Sequence, residues 1–160
     1  MEIILNKKPV KRVREVLKNF NSNINVMTLD STAKTAKDAS FSLGCEIGAI
    51  VKSLLLKVEQ KFLICLVAGD KRCSLNKLKK ILKKRDITMA NAEEVKEITG
   101  FSIGGVSPVG HVKKIDILID KSLNRFTNIF AAAGHPNCIF KITYNDLIKI
   151  TGGSEKDISQ

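Results

Sequence analysis

The sequence predicts an α/β domain whose strands form a mixed sheet. Three observations carry this expectation. Apolar runs of strand length alternate with amphipathic helical segments along the 160 residues. Two strand runs, 49–58 and 62–68, are separated only by Glu59-Gln60-Lys61 and read as a hairpin, which favours a mixed sheet over a doubly wound one. One glycine-dense stretch, Thr99 to His111, fits neither a helix nor a plain strand. A chain of this length makes a single domain over 1–160 with a sizeable core.

The elements follow in order. Asn6-Lys7-Lys8-Pro9 starts a helix with proline in its first turn. Val10, Val13, Val16, Leu17 and Phe20 recur at helical spacing, and Asn21-Ser22-Asn23 ends it. Val26 to Leu29 reads as a short strand, and Ser31 as the N-cap of a helix stopping near Gly44. Beyond the hairpin, Ser74 caps a basic helix with Leu75, Leu78, Ile81 and Leu82 on its apolar side. Ile87-Thr88-Met89 is a short strand. Asn91-Ala92-Glu93-Glu94 forms a capping box for a helix ending at Gly100. Residues 115–119, 129–132 and 138–142 read as strands, with His135-Pro136-Asn137 as a turn. Thr143 caps a last helix that ends near Thr151-Gly152-Gly153, and the polar tail 153–160 is expected to be loose.

Charge is the informative total. A net +11 favours a polyanionic partner, nucleic acid or an anionic membrane surface; the alternative is a basic chain with no specific partner. Aromatics are only 5% with no Trp, so a wide base-stacking platform is not expected. No apolar run reaches the length of a membrane span, and no amphipathic segment has a large aromatic face. The start of the chain lacks the parts of a signal peptide, and Cys45, Cys65, Cys73 and Cys138 form no CxxC pair. A reducing, cytoplasmic setting is therefore expected.

Candidate chemistry is sparse. The sequence holds no HExxH, zinc-spaced Cys/His set, P-loop or GxSxG elbow, so no metal and no cofactor are expected. Lys52 shares a strand face with Ile50, Leu54 and Leu56. A buried ammonium needs an anionic or strongly dipolar partner, which a ligand could supply; the alternative is an edge lysine that carries its charge to water. Gly134-His135-Pro136-Asn137 follows a run of small residues, and His135 could donate a hydrogen bond or move a proton, or serve the turn alone. His111 has no evident partner. The glycine-dense stretch holds four of the ten glycines, with Phe101, Ile103, Val106 and Val109 interleaved as anchors to a core. If the chain is a hydrolase, water is the expected nucleophile, with positioning and backbone donors supplying the catalysis.

Five segments, in this order and spacing, resemble a known family. They are Ala39-Ser40-Phe41-Ser42-Leu43-Gly44, Ile50-Val51-Lys52-Ser53-Leu54, Val67-Ala68-Gly69-Asp70, Thr99 to Gly110, and Ala132-Ala133-Gly134-His135-Pro136-Asn137. Over residues 28–151 the chain is similar to the YbaK / prolyl-tRNA synthetase-associated aminoacyl-tRNA deacylases, free-standing relatives of the editing domain inserted in bacterial prolyl-tRNA synthetases. The resemblance implies a mixed, partly barrel-like sheet surrounded by helices, and hydrolysis of the ester joining a wrong amino acid to tRNA. Lys52 matches the family's essential lysine. Gly104, Gly105, Val106, Ser107 and Pro108 match its Gly-x-x-x-Pro loop, expected to face the ester. Gly134 and His135 fall where members differ, and imply a role in selecting the amino acid. Gly-His-Pro-Asn departs from the Gly-Lys-Arg-like segment of the Cys-specific type and resembles the subgroup acting on Ser- or Thr-charged tRNA, with Ala a further possibility. The implied partner is the tRNA acceptor end with its amino acid. The expected phosphate contacts are Lys11 and Arg14 on the first helix and Lys77, Lys80 and Lys84 on the basic one. An aminoacyl-tRNA synthetase is a second implied partner. Alternatives are a non-catalytic tRNA- or synthetase-binding module on the same fold, and a small-molecule-binding protein.

Overall fold

A computed structural model describes residues 3–30 and 34–160. In chain order they form α1 (Lys8–Phe20), β1 (Val26–Thr28), α2 (Ala36–Leu43), β2 (Ile50–Val58), β3 (Lys61–Ala68), α3 (Leu75–Leu82) and β4 (Ile87–Met89). There follow α4 (Ala92–Thr99), β5 (Asp116–Asp120), β6 (Ile129–Ala132), β7 (Cys138–Ile142), α5 (Tyr144–Thr151) and β8 (Ser154–Lys156). The strands make a mixed sheet in the order β1-β7-β6-β2-β3-β5-β8, and β4 pairs with β2 beside that path. β2–β6, β3–β5 and β5–β8 run parallel, and the remaining pairs are antiparallel. The mixed sheet with flanking helices is the architecture the sequence predicts.

Alternation along the central hairpin sends side chains to two cores. Val51 and Leu55 of β2, with Ile64, Leu66 and Ala68 of β3, join α1, α5 and Phe101 in the larger core. Leu56, Leu63, Cys65 and Val67 point the other way and meet Leu78 of α3 and Ile158. A small cluster of Ala39, Ile50 and Ile139 lies under α2. Val10, Val13 and Leu17 of α1 are fully buried. Each such side chain contributes about 1.5–3 kcal/mol, so this stripe, more than capping, holds α1 in place.

Several boundaries differ from the expectation. The hairpin turn is only Glu59-Gln60, because Val58 pairs with Lys61. β5 is shifted by one residue to end on Asp120. The Ser31 cap lies outside the described residues; α2 begins at Ala36, where the Thr35 hydroxyl accepts the Asp38 amide. Ile81 is exposed, since it flanks the stripe that Leu75, Leu78 and Leu82 make at i, i+3 and i+7.

The largest correction concerns the tail. Residues 153–160 are not loose. β8 pairs with β5, Ile158 is fully buried, and Ser159 bridges to Cys73. The cause is the Asp120 carboxylate, itself 1% exposed. It accepts the Ile158 amide at 2.9 Å, the Ser159 hydroxyl at 2.8 Å, and both the amide and the hydroxyl of Ser122. Burial works to raise the Asp120 pKa, but these bonds outweigh it and hold the carboxyl below its ordinary value.

Candidate active site

β2 carries two neighbours on one edge and leaves a gap between them. β6 pairs only with Ile50 and Val51, and β4 only with Leu56, Lys57 and Val58. On that edge Leu55 turns its carbonyl to the Ala90 amide at 3.0 Å. Alternate residues of a strand present their main-chain groups on the same edge, so Ser53 offers its N–H and C=O to the gap. A cleft of about 360 Å³ opens there. Its floor is Val51 to Leu55; Thr35, Ala36 and Ala39 form one wall, Met89, Ala90 and Val95 another. Ile103, Gly104 and Val106 of the glycine-dense loop close over it. A mostly apolar cleft with a few polar groups is the usual form of a small-ligand site.

Lys52 lines this cleft and is half-buried. Its Nζ donates to the Lys71 carbonyl. Burial lowers its pKa, and the charges of Asp70 and Cys73 work against that fall. Its partner is thus a dipolar main-chain group within the chain. Ser53, beside it, carries a buried hydroxyl with no hydrogen-bond partner among the described residues. Ser53 carries no chemical signal of its own in the sequence. It lies beside Lys52 in one of the segments that carry the resemblance, but an orphan hydroxyl becomes visible only once the sheet is assembled.

The loop 99–111 is a built object. Phe101 is its buried anchor, whereas Ile103, expected to be a second anchor, is 63% exposed. Ile103 sits at the tip before Gly104, whose φ of +96° turns the chain, and its side chain serves the cleft instead. Arg12 ties the base of the loop to α1, donating from Nε to Gly110 O at 3.1 Å and from Nη2 to Gly100 O at 3.0 Å. The same guanidinium lies 5.1 Å from the Phe101 ring centre. His111 does find a partner: its Nε2–H donates to Ser107 O at 2.7 Å, and its ring meets Phe101 edge-on. Burial lowers the His111 pKa, against the Ser107 bond.

The expected substrate-binding residues divide into two groups. Gly104 and Val106 line the cleft; Gly105, Ser107, Pro108, Gly134 and His135 do not. Ser107 and Pro108 are buried, and the Ser107 hydroxyl accepts the Val109 amide at 3.2 Å. Gly105 is small for a reason unrelated to a ligand. A Cβ there would stand 2.9 Å from His135 N and 3.0 Å from His135 Cα, so its smallness lets the two loops touch. Gly134 in turn lies against Pro9 of α1. His135 uses Nδ1 to accept the Asn137 amide at 3.0 Å, which leaves the proton of the neutral ring on Nε2. Burial, with the nearby Lys7 charge, lowers its pKa. The Gly105 amide bonds Ser102 O at 3.0 Å, but among the described residues the Gly104 and Val106 amides have no acceptor in the chain.

The expected phosphate contacts do not share one surface. α1 packs on the larger core and α3 on the other face of the sheet. Lys11 and Lys80 are exposed. Arg14 donates to Leu5 O at 3.0 Å. Lys77 is engaged by Asp157 at 2.9 Å and Ser159 O at 2.6 Å, and Lys84 by Glu59 at 3.1 Å.

Known proteins are similar to this chain in sequence and in fold. A family model for the aminoacyl-tRNA editing domain matches residues 30–150. A proline–tRNA ligase of Caldicellulosiruptor bescii is 32% identical over 127 residues, covering 74% of this chain and 22% of that enzyme. The chain thus spans about a fifth of the length of that ligase. YwhH of Bacillus subtilis, itself uncharacterised, is 30% identical over 86% of this chain and 88% of its own length. A crystal structure described as a candidate trans-editing enzyme for prolyl-tRNA synthetase superposes with a TM-score of 0.90 at 34% identity, covering 96% of this chain and 98% of that one. With most of its length matched and its fold shared, the chain belongs to the aminoacyl-tRNA editing domain family.

Proposed function

We propose that this chain is a trans-editing aminoacyl-tRNA deacylase of the cytoplasm, hydrolysing the ester of mischarged tRNA, with Ser- or Thr-charged tRNA favoured over Ala- or Cys-charged tRNA. The observation that carries this reading is the meeting of Lys52 with Gly104 and Val106 in one cleft at the open edge of β2. The cleft suits an amino acid joined to a terminal adenosine better than a whole nucleic-acid strand. Ser53 lines the cleft, and its hydroxyl, buried and without a partner among the described residues, would meet a hydroxyl amino acid once turned to the cleft.

Water attacks the ester carbonyl, and the adenosine oxygen leaves with a proton. Ser53 Oγ has no base to activate it, so it serves as a binding group and not as the nucleophile. Negative charge gathers on the carbonyl oxygen, where the Gly104 and Val106 amides can donate. One such donor is worth on the order of 10²–10³ in rate. Lys52 holds the terminal adenosine and the α-amino end in position, by charge or through a backbone contact. His135, outside the cleft lining, acts on selectivity through the Gly105 contact that seats the loop. The exposed Lys11 and Lys80 contact tRNA phosphates, Arg14, Lys77 and Lys84 do so where tRNA competes with their partners in the chain, and a synthetase can supply further tRNA-binding surface.

The test is ester loss from Ser-, Thr-, Ala- and Cys-charged tRNAs, for the wild type and Lys52→Ala. Hydrolysis of a Ser or Thr ester that Lys52→Ala abolishes supports the reading. Undiminished activity in Lys52→Ala refutes the role of Lys52, and inertness across the panel favours a non-catalytic binding module.

A further inference from the structure

Lys52 is held by the carbonyl of a single loop residue, Lys71, between β3 and α3. A carbonyl positions a cation only as firmly as its own loop is fixed. The Lys71 amide itself bonds Ala68 O at 3.0 Å within the turn, and further ties hold the loop on either side. Asp70 accepts Arg125 Nη1 at 2.9 Å and Nη2 at 2.7 Å, while Arg125 Nε donates to Ser122 O at 2.6 Å. The guanidinium also lies 5.0 Å from the Phe126 ring centre. Gly69 leaves no space for a side chain, since a Cβ there would run into Ile47 O. At the other end, Arg72 and Gln160 exchange main-chain bonds at 3.1 and 2.9 Å.

The Arg125 and Asp70 side chains are 40% and 32% exposed. An ion pair so open to water adds little stability. What a two-pronged Arg–carboxylate pair does supply is direction. We infer that Asp70 and Arg125 are positioning residues for the cleft: their pair fixes the loop that presents the Lys71 carbonyl, and so sets where the Lys52 ammonium sits. Three charged or titratable groups also act on that ammonium. Asp70 and Cys73 favour its charged form, and Arg72 opposes it.

The inference rests on the deacylase reading only for its kinetic arm. The direct probe is the ¹⁵N side-chain signal of Lys52, assigned by its loss in Lys52→Ala and followed in the wild type, Asp70→Asn and Arg125→Lys. Both variants should shift that signal and speed exchange of its ammonium hydrogens, while the Ile64 and Ile119 amides stay in place. In the kinetic arm kcat should fall by about 10- to 10²-fold with KM little changed, as expected for a misplacement of about 1 Å. Arg125→Lys keeps the charge and loses the fork, so it carries the test if Asp70→Asn does not fold. An unchanged Lys52 signal in the folded variants overturns the inference, whatever happens to kcat. A shifted signal in a protein that hydrolyses none of the four charged tRNAs upholds the positioning role and removes the deacylase reading.

Discussion

Asp120→Asn should cost far more than a one-atom change suggests. The wild-type carboxylate takes the Ile158 amide on Oδ1, and the Ser122 amide, Ser122 hydroxyl and Ser159 hydroxyl on Oδ2. Asparagine keeps one oxygen and replaces the other by a donor. In the better orientation its oxygen faces the three Ser122 and Ser159 donors, and its NH₂ faces the Ile158 N–H. One buried amide is then unpaired, at about 1–3 kcal/mol. The remaining bonds lose their charge assistance and about half their strength. The sum is about 2–4 kcal/mol, or a fall in Tm of about 5–15 °C for a chain of this length. The pH dependence has a definite sign. The folded carboxyl is held below its ordinary pKa, so its contribution is complete above the unfolded value and is lost as pH falls through the folded one. Urea unfolding of both proteins at pH 7 and at a series of values below about pH 4 tests this. The gap should be widest at pH 7 and narrow with acid. A gap under about 0.5 kcal/mol at pH 7, within the range of ordinary surface substitutions, would refute the account of Asp120 as the anchor of the tail.

Gly105→Ala should destabilise by about 1–3 kcal/mol, because the new Cβ meets the His135 backbone, which cannot swing aside. Its midpoint in urea should drop, and deacylation should fall as the loop lifts from the cleft; a neutral variant would show that the two loops are not in contact. Ser53→Ala removes a hydroxyl that has no partner, so stability should hold or rise by up to about 1 kcal/mol. Deacylation of Ser- and Thr-tRNA should nevertheless fall, and a loss of more than about 1 kcal/mol in stability would mean the hydroxyl bonds within the protein.

Local signals carried the fold well. The capping box of Asn91 and Glu94, the Thr143 cap and the Pro9 turn are decided by bonds within a few residues, and each forms where the pattern puts it. The hairpin is legible for the same reason. Long-range bonds were not legible. Arg12 looks like one more charge on a basic helix, yet it clamps a loop 88 and 98 residues away. The tail reads as polar and unpatterned, and nothing near it in sequence announces the Asp120 carboxylate 38 residues before Ile158. Ile103 reads as an anchor because hydropathy counts apolar residues without knowing which side of a turn they leave from.

By itself the sequence determined the class of fold and the basic charge, because both depend on composition and short-range periodicity; Lys52 and the glycine-dense loop stood out by pattern, and the family resemblance gave them an expected role. Tertiary structure alone decided which of those residues meet. β2 is left unpaired between β6 and β4, and that gap sets Lys52 and Ser53 beneath Gly104 and Val106. Gly105, Ser107 and Pro108 lie outside the cleft, since a five-residue turn cannot direct every side chain into it, and His135 backs that turn at Gly105. A strand's neighbours are chosen by the whole sheet, and no local stretch encodes that choice.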